Sequence, residues 1–267
     1  MDPVTGFSLT SFALVSAASL VAVAVLMAVT AVVARRAGRV SVVDVTWGVG
    51  FAVVSVVGLL LGPGALGRRA LLFGIVTIWG SRLALHVHRR NAGKGEDPRY
   101  EKMLAEAPAD PFAYAVRRVF VVQGLSVWFV SLPIQVAAVT TGGLGVVAWV
   151  GVALWLVGVV FESVGDAQLA AFKADSANRG KVMDRGLWSL TRHPNYFGDS
   201  CVWWGIFLVA ADVWPGVLTV LSPVVMTYFL VFATGARLLE REMAKRPGYP
   251  AYQQRTSYFL PLPPRRR

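Results

Sequence analysis

The chain of 267 residues is 55% hydrophobic and only 15% charged, with a mean hydropathy of +0.57, which excludes an ordinary soluble globular domain and indicates a polytopic membrane protein. Its formal net charge is +11, yet the basic residues are confined to segments between apolar stretches, so the excess reads as membrane orientation and not as nucleic-acid binding. A single cysteine, Cys201, excludes an intrachain disulfide framework and a cysteine-cluster metal site.

Seven apolar segments are predicted at 8–34, 41–61, 70–87, 117–137, 143–164, 196–211 and 215–235. Each is close to the length that a hydrocarbon core of about 30 Å demands of a helix. The first is too long for a signal-peptide core and lacks a basic stretch before it, so it reads as a retained span. Asp44 stands near the start of the second segment, three residues before Trp47. Arg82, His86 and Arg89 follow at the end of the third, spaced i, i+4, i+7 and therefore on one helix face. The connection 88–116 contains the turn-rich run Gly93-Lys94-Gly95-Glu96-Asp97-Pro98-Arg99-Tyr100. Glu162, Asp166 and Lys173 make a comparable stripe running out of the fifth segment into the connection 165–195, where Asn178-Arg179-Gly180-Lys181 gives a second turn signal. The run Arg192-His193-Pro194-Asn195-Tyr196-Phe197-Gly198-Asp199 then opens the sixth segment ahead of Trp203 and Trp204. Arg237 and Arg241 follow the seventh, in a tail over 236–267 that ends in Arg265-Arg266-Arg267. That last triplet suits anionic lipid headgroups or open solvent.

Lys and Arg concentrate in alternate connections. Arg35, Arg36 and Arg39 lie in the first, seven cations between Arg89 and Arg118 in the third, five between Lys173 and Arg192 in the fifth, and eight between Arg237 and Arg267 in the tail. Arg68 and Arg69 alone occupy the second, and the fourth and sixth have none. Cytoplasmic connections retain such residues, so the expectation is an all-α bundle of seven transmembrane helices. It forms a single integral membrane domain over 1–267, with the N-terminus outside and the C-terminus cytoplasmic. A bacterial plasma membrane is the expected location. Function is expected on the cytoplasmic face, in 88–116, 165–195 and 236–267.

An ionised side chain at mid-membrane costs about 2.5 to 3.5 kcal/mol even on lenient scales, so such residues normally face the bundle interior with partners. On the functional reading, the stripes form a polar cavity in which Arg and Lys meet phosphates and carboxylates meet ribose hydroxyls. The structural alternative makes Arg89, Lys173 and Arg241 snorkelling residues and makes Asp44, Arg82, Asp166 and Asp199 members of buried ion pairs. It makes His86 and His88 plain interfacial histidines, and Trp203 and Trp204 belt or packing aromatics. A metal site is not expected. His86, His88 and His193 are the only histidines, and no H-E-x-x-H pattern exists. No G-x-S-x-G elbow supports nucleophilic catalysis either.

The run from Gly186 to Asp199, followed by Trp203-Trp204-Gly205, resembles the C-terminal half of steroid 5-alpha-reductase-like membrane proteins, particularly a bacterial branch. The Arg89-Arg90-Asn91 to Tyr100 loop and Tyr249-Pro250-Ala251-Tyr252 resemble the same branch, and the likeness covers most of residues 40–262. The resemblance implies a seven-helix bundle that holds NADPH among the cytoplasmic ends of its later helices and reduces an enone-type double bond of a lipid. It assigns Asn195 and Asp199 to cofactor contacts, Asp166 to an acid ahead of the polar loop, and Arg237 to a phosphate or ribose. Lys173 stands in place of an arginine and Arg241 in place of a histidine. Arg192, His193 and Tyr196 complete the expected cofactor set. The tyrosine and the Gln-Glu pair of the steroid enzymes find only His86 and, loosely, Asp44 as equivalents. These two are the expected catalytic residues, His86 donating a proton to the developing enolate and Asp44 orienting or replacing it.

Arg192-His193-Pro194-Asn195-Tyr196-Phe197-Gly198 together with Arg237, Glu240, Glu242, Tyr249 and Tyr252 also resembles the isoprenylcysteine and phospholipid methyltransferases. That likeness implies S-adenosylmethionine as the alternative cofactor. A non-enzymatic lipid or small-molecule carrier is the third reading, and it would call for discontinuous helices in paired halves. The expected partners are the lipid bilayer and a hydrophobic lipid substrate.

Overall fold

The computed structural model describes residues 6–108, 110–233 and 235–265, so the expected lipid contacts of Arg266 and Arg267 lie outside the described residues. The regular structure of the described residues is helical. They contain no named strand, only an isolated bridge between Thr191 and Ser257. In chain order the helices are α1 (Leu9–Ala37), α2 (Val43–Leu61), α3 (Leu66–Asn91), α4 (Pro98–Ala105), α5 (Pro111–Ala115), α6 (Val121–Val130), α7 (Leu132–Ala137) and α8 (Val146–Ala174). They continue as α9 (Leu187–Leu190), α10 (Pro194–Ala211), α11 (Leu221–Tyr228), α12 (Ala236–Met243) and α13 (Tyr249–Arg255). A π-helical turn, Val116–Phe120, joins α5 to α6, and a second one, Phe229–Ala233, follows α11.

Six helical stretches among the described residues are long and apolar enough to cross a bilayer: Leu9–Ala37, Val40–Leu61, Leu66–Asn91, Pro111–Val130, Val146–Ala174 and Gly216–Met243. The predicted segment 196–211 is helical as α10, but Asn195, Tyr196 and Asp199 in its first turns dilute its apolar content, and it falls outside that set. Two boundaries also differ from expectation. Helix α8 runs to Ala174, about ten residues past the predicted end of the fifth segment, and carries Asp166 and Lys173 on regular helix. Pro133, which cannot donate a backbone hydrogen bond, lies just after the break at Ser131 that separates α6 from the short α7.

The chain divides into two compact units, Met1–Ala148 with Val209–Thr219, and Trp149–Leu208 with Val220–Arg267. In the first, α2 and α3 touch backbone to backbone. A Cβ added at Gly48 would lie 2.1 Å from the Gly80 carbonyl oxygen, and one at Gly80 would lie 2.4 Å from that of Gly48. Membrane helices associate through such small residues because lipid gives them no hydrophobic drive to pack. Phe51 and Trp79 fill the space beside this crossing with ring centroids 5.8 Å apart. At the far end of α3, Arg68 is fully buried. It donates from Nη1 to the Val209 carbonyl at 2.5 Å and from Nη2 to Gly143 at 2.6 Å and to Asp212 at 3.0 Å. Asp212 also accepts the backbone N–H groups of Gly145 and Ala148.

In the second unit α8 and α10 meet in the same manner, since a Cβ on Gly158 would lie 2.5 Å from the Gly198 carbonyl oxygen. Trp203 is fully buried here, which makes it a packing residue and not a belt aromatic. Trp204 Nε1 donates to Thr227 on α11 at 3.2 Å. Many large apolar side chains stay exposed in both units, among them Leu60 at 72%, Leu125 at 51% and Val160 at 55%. Surfaces of that kind suit hydrocarbon and not water.

Candidate functional site

The second unit builds its polar site around the turn that enters α10. Pro194 takes the first helical position, where its missing N–H costs no bond. The preceding residues pair with a returning segment. Arg192 N–H donates to the Ser257 carbonyl at 2.9 Å, Leu262 N–H to Leu190 at 3.0 Å, and Thr191 Oγ1 to Phe259 at 2.8 Å. Trp188 on α9 donates to the Gly165 carbonyl at 2.9 Å, which ties this turn to α8.

Glu240 on α12 gathers the turn. Its Oε1 accepts Arg192 Nε at 2.9 Å and Tyr249 Oη at 2.7 Å, and its Oε2 accepts Gln253 Nε2 at 2.5 Å. His193 Nε2 lies 3.0 Å from the same Oε1 and donates to it in the tautomer protonated there. Arg192 Nη1 donates further to the Gln253 and Thr256 carbonyls at 2.9 and 2.8 Å, and its guanidinium sits 5.3 Å over the Tyr258 ring. His193 stacks on Tyr196 with ring centroids 5.7 Å apart. Burial pushes the Tyr249 hydroxyl well above its ordinary range, with the Glu240 charge adding to the effect, so Tyr249 remains a protonated donor. Arg192 and His193 are thus committed to protein partners, with side chains only 10% and 4% exposed.

The remaining cofactor candidates lie on α8, α10 and α12. Asn195 Nδ2 donates to Asp166 Oδ1 at 3.2 Å, linking α10 to α8. Asp166 and Asp199 are buried, whereas Lys173 lies exposed near the end of α8. Arg237 and Arg241, four residues apart on α12, line a hollow of about 180 Å³ together with Phe232, Ala233 and Leu238. Both arginines are exposed, and neither pairs with a carboxylate among the described residues. This second unit therefore contains two exposed cations on a hollow and, on α8 and α10, two buried acids and a carboxamide. Exposed guanidinium groups of this kind can meet anionic groups such as phosphates.

The first unit has its own constellation. Asp44 in the first turn of α2 accepts Tyr100 Oη at 2.6 Å and Arg99 Nη2 at 3.1 Å, and Gln123 Nε2 donates to Tyr100 Oη at 3.2 Å. Burial and the Asp44 charge both push the Tyr100 hydroxyl well up, while the hydrogen bond to Arg99 holds the Asp97 carboxyl below its usual range. The loop is further fastened by Glu96, which accepts the backbone N–H groups of Val40 and Ser41. His86 lies half-buried on α3. Because α2 and α3 run antiparallel, with Gly48 against Gly80 and Ala84, the level of Asp44 corresponds to residues near 84–88, which includes His86. Sequence reasoning read the run from Gly93 to Tyr100 as a turn and missed Tyr100 and Gln123 as partners of Asp44. It also missed Glu240 as the anchor of Arg192 and His193. Glu240 shares its helix with Arg237, Arg241 and Glu242, so nothing local in the sequence marked it as the buried one.

Helices of this length, apolarity and exposed hydrocarbon surface define an integral, multi-pass membrane protein. The chain belongs to the family described as "Protein of unknown function (DUF1295)", which matches residues 30–256. It is also similar to the uncharacterized protein C594.04c of Schizosaccharomyces pombe, with 24% identity over 229 residues, covering 75% of this chain and 66% of that protein. No solved structure matches it.

Proposed function

We propose that this protein is a steroid 5-alpha-reductase-like membrane enzyme that uses NADPH to reduce a carbon–carbon double bond of a lipid. The observation that carries the reading is the pair Arg237 and Arg241 on an open hollow, in the same unit as the linked Asp166 and Asn195 and the buried Asp199. Phosphates call for unpaired guanidinium groups, and S-adenosylmethionine carries no phosphate. When bound, NADPH supplies the hydride. Arg237 and Arg241 hold its phosphates, Asp199 and Asn195 meet ribose hydroxyls, and the Glu240 network keeps the Arg192-His193 turn in place. On the acid side, Asp44 is oriented by Tyr100 and Arg99, and His86 donates the proton that the reduced substrate needs. Lys173 reaches the cofactor from the end of α8. The chain adopts seven spans with α10 as the sixth, the N-terminus outside and the C-terminus in the cytoplasm of a bacterium.

Thermal unfolding of the detergent-solubilised protein tests this reading, because a ligand that binds only the folded state raises its apparent stability. NADPH is expected to raise the midpoint and S-adenosylmethionine to leave it unchanged. The opposite pattern would assign the protein to the methyltransferases, and no response to either would favour the lipid carrier.

A further inference from the structure

An apolar groove of about 260 Å³ runs along the first unit between α1 and the helix formed by the π turn and α6. The two walls are antiparallel and closely joined. Trp128 Nε1 donates to the Ser16 carbonyl at 3.1 Å near one end, a Cβ on Gly124 would lie 3.2 Å from Met27 Cγ in the middle, and Arg35 lies 5.3 Å over the Phe112 ring at the other end. Leu20, Ala28 and Ala31 line one wall, and Leu125, Val121 and Val116 the other. Leu20 is 37%, Val121 49% and Leu125 51% exposed, so the groove is open along its length.

Each wall ends in a cation at the same end. On α1 the face that carries Ala28 and Ala31 continues to Arg35, and on the opposite helix Leu125 and Val121 continue at four-residue spacing to Arg117. Both arginines are exposed, and neither pairs with a carboxylate among the described residues. From Leu20 to Ala31 the helix rises about 16 Å, which is close to half of a hydrocarbon core roughly 30 Å thick. The groove thus has the depth of one leaflet, with its cationic end one turn further on, at headgroup level. The π turn places Val116 and Phe120 on the groove wall directly beside Arg117.

The geometry points to a binding site for a phosphate-headed anionic membrane lipid, one acyl chain lying in the groove and the phosphate between Arg35 and Arg117. The site stands apart from the reductase reading, since it uses none of the residues assigned to cofactor or acid. The purified full chain, exchanged into mixed micelles, is titrated with phosphatidylglycerol and with phosphatidylcholine of the same acyl chains, and bound lipid is counted by native mass spectrometry. Phosphatidylglycerol is expected to bind about tenfold more tightly, in keeping with the attraction of one or two basic residues for an anionic headgroup. The double variant Arg35→Gln, Arg117→Gln is expected to bind the two lipids equally. Ala28→Phe, which fills the groove from an exposed position, is expected to lose both. Equal binding by the unaltered protein would overturn the assignment, as would a preference that survives the double substitution or full lipid retention by Ala28→Phe. Displacement of the lipid by inorganic phosphate at matching concentration would also overturn it, by making the site one for free phosphate.

Discussion

Replacing Glu240 with alanine removes the acceptor for Arg192, His193, Tyr249 and Gln253 in one step. Breaking one side of a buried, hydrogen-bonded ion pair costs about 3–5 kcal/mol, chiefly because the surviving charge is left in a poorly hydrated place. The Arg192 side chain is 10% exposed and keeps the Gln253 and Thr256 carbonyls, so the lower end applies, about 3 kcal/mol. Glu240→Gln preserves the shape and still accepts from Arg192, but it turns an amide toward the Gln253 donor; about 1–2 kcal/mol is expected there. Denaturant unfolding in detergent, followed by tryptophan fluorescence, measures both. The sharper test is the cycle with Arg192→Ala, since the double variant has no orphaned charge. Its cost is expected to fall short of the sum of the single costs by at least about 1 kcal/mol. Additivity within about 0.5 kcal/mol would refute the idea that Glu240 and Arg192 act as a unit.

Arg237→Gln combined with Arg241→Gln is expected to weaken NADPH binding by roughly tenfold to a hundredfold per lost contact while leaving unfolding in the absence of ligand unchanged, as read by ligand-dependent thermal shifts. His86→Ala and Asp44→Asn are each expected to slow NADPH-dependent turnover in membranes by about 10²–10⁴, and full turnover in both variants would remove them from the chemistry. Tyr100→Phe should act more mildly than Asp44→Asn, because Arg99 still holds the carboxylate. Burial alone would raise the Asp212 carboxyl, but the Gly145 N–H, Arg68 and the Ala148 N–H together hold it below its ordinary value of 3.8. Its contribution to stability is therefore complete above about pH 4 and lost as the pH falls through its folded value, so Asp212→Asn should flatten the acid limb of a stability–pH curve.

The helical bundle was legible in the sequence because bilayer-length apolar runs have few other uses, and six of the seven expected segments overlap helices long enough to span. The ends were harder. Helix α8 outlasts its apolar stretch because Gln168, Ala170 and Ala171 continue the helix after hydrophobicity has stopped marking it. The site was legible as a list of residue types and much less as a set of partners. Asp166 and Asn195 are 29 residues apart and Arg192 and Glu240 are 48 apart, and no local pattern encodes such pairings. Arg192 and His193 attracted notice as cations near a cofactor motif, yet their donors are taken up by a glutamate whose own sequence context is an ordinary charged helix. Tyr100 went unassigned because a turn-rich loop gives no sign of the helix on which it will dock.

The short pairing of residues 190–192 with 257–262 bears on the order in which the molecule can be made. Thr191 waits for an acceptor 68 residues downstream, and the Arg192 N–H waits for Ser257. During synthesis, α8 and α10 can enter the membrane and pack well before those partners have left the ribosome. The turn that enters α10 is then held only through Trp188 and α8 until nearly the last segment of the described chain arrives. A nascent chain stalled before Tyr258 would hold the helices of this unit without the acceptor that Thr191 takes from Phe259.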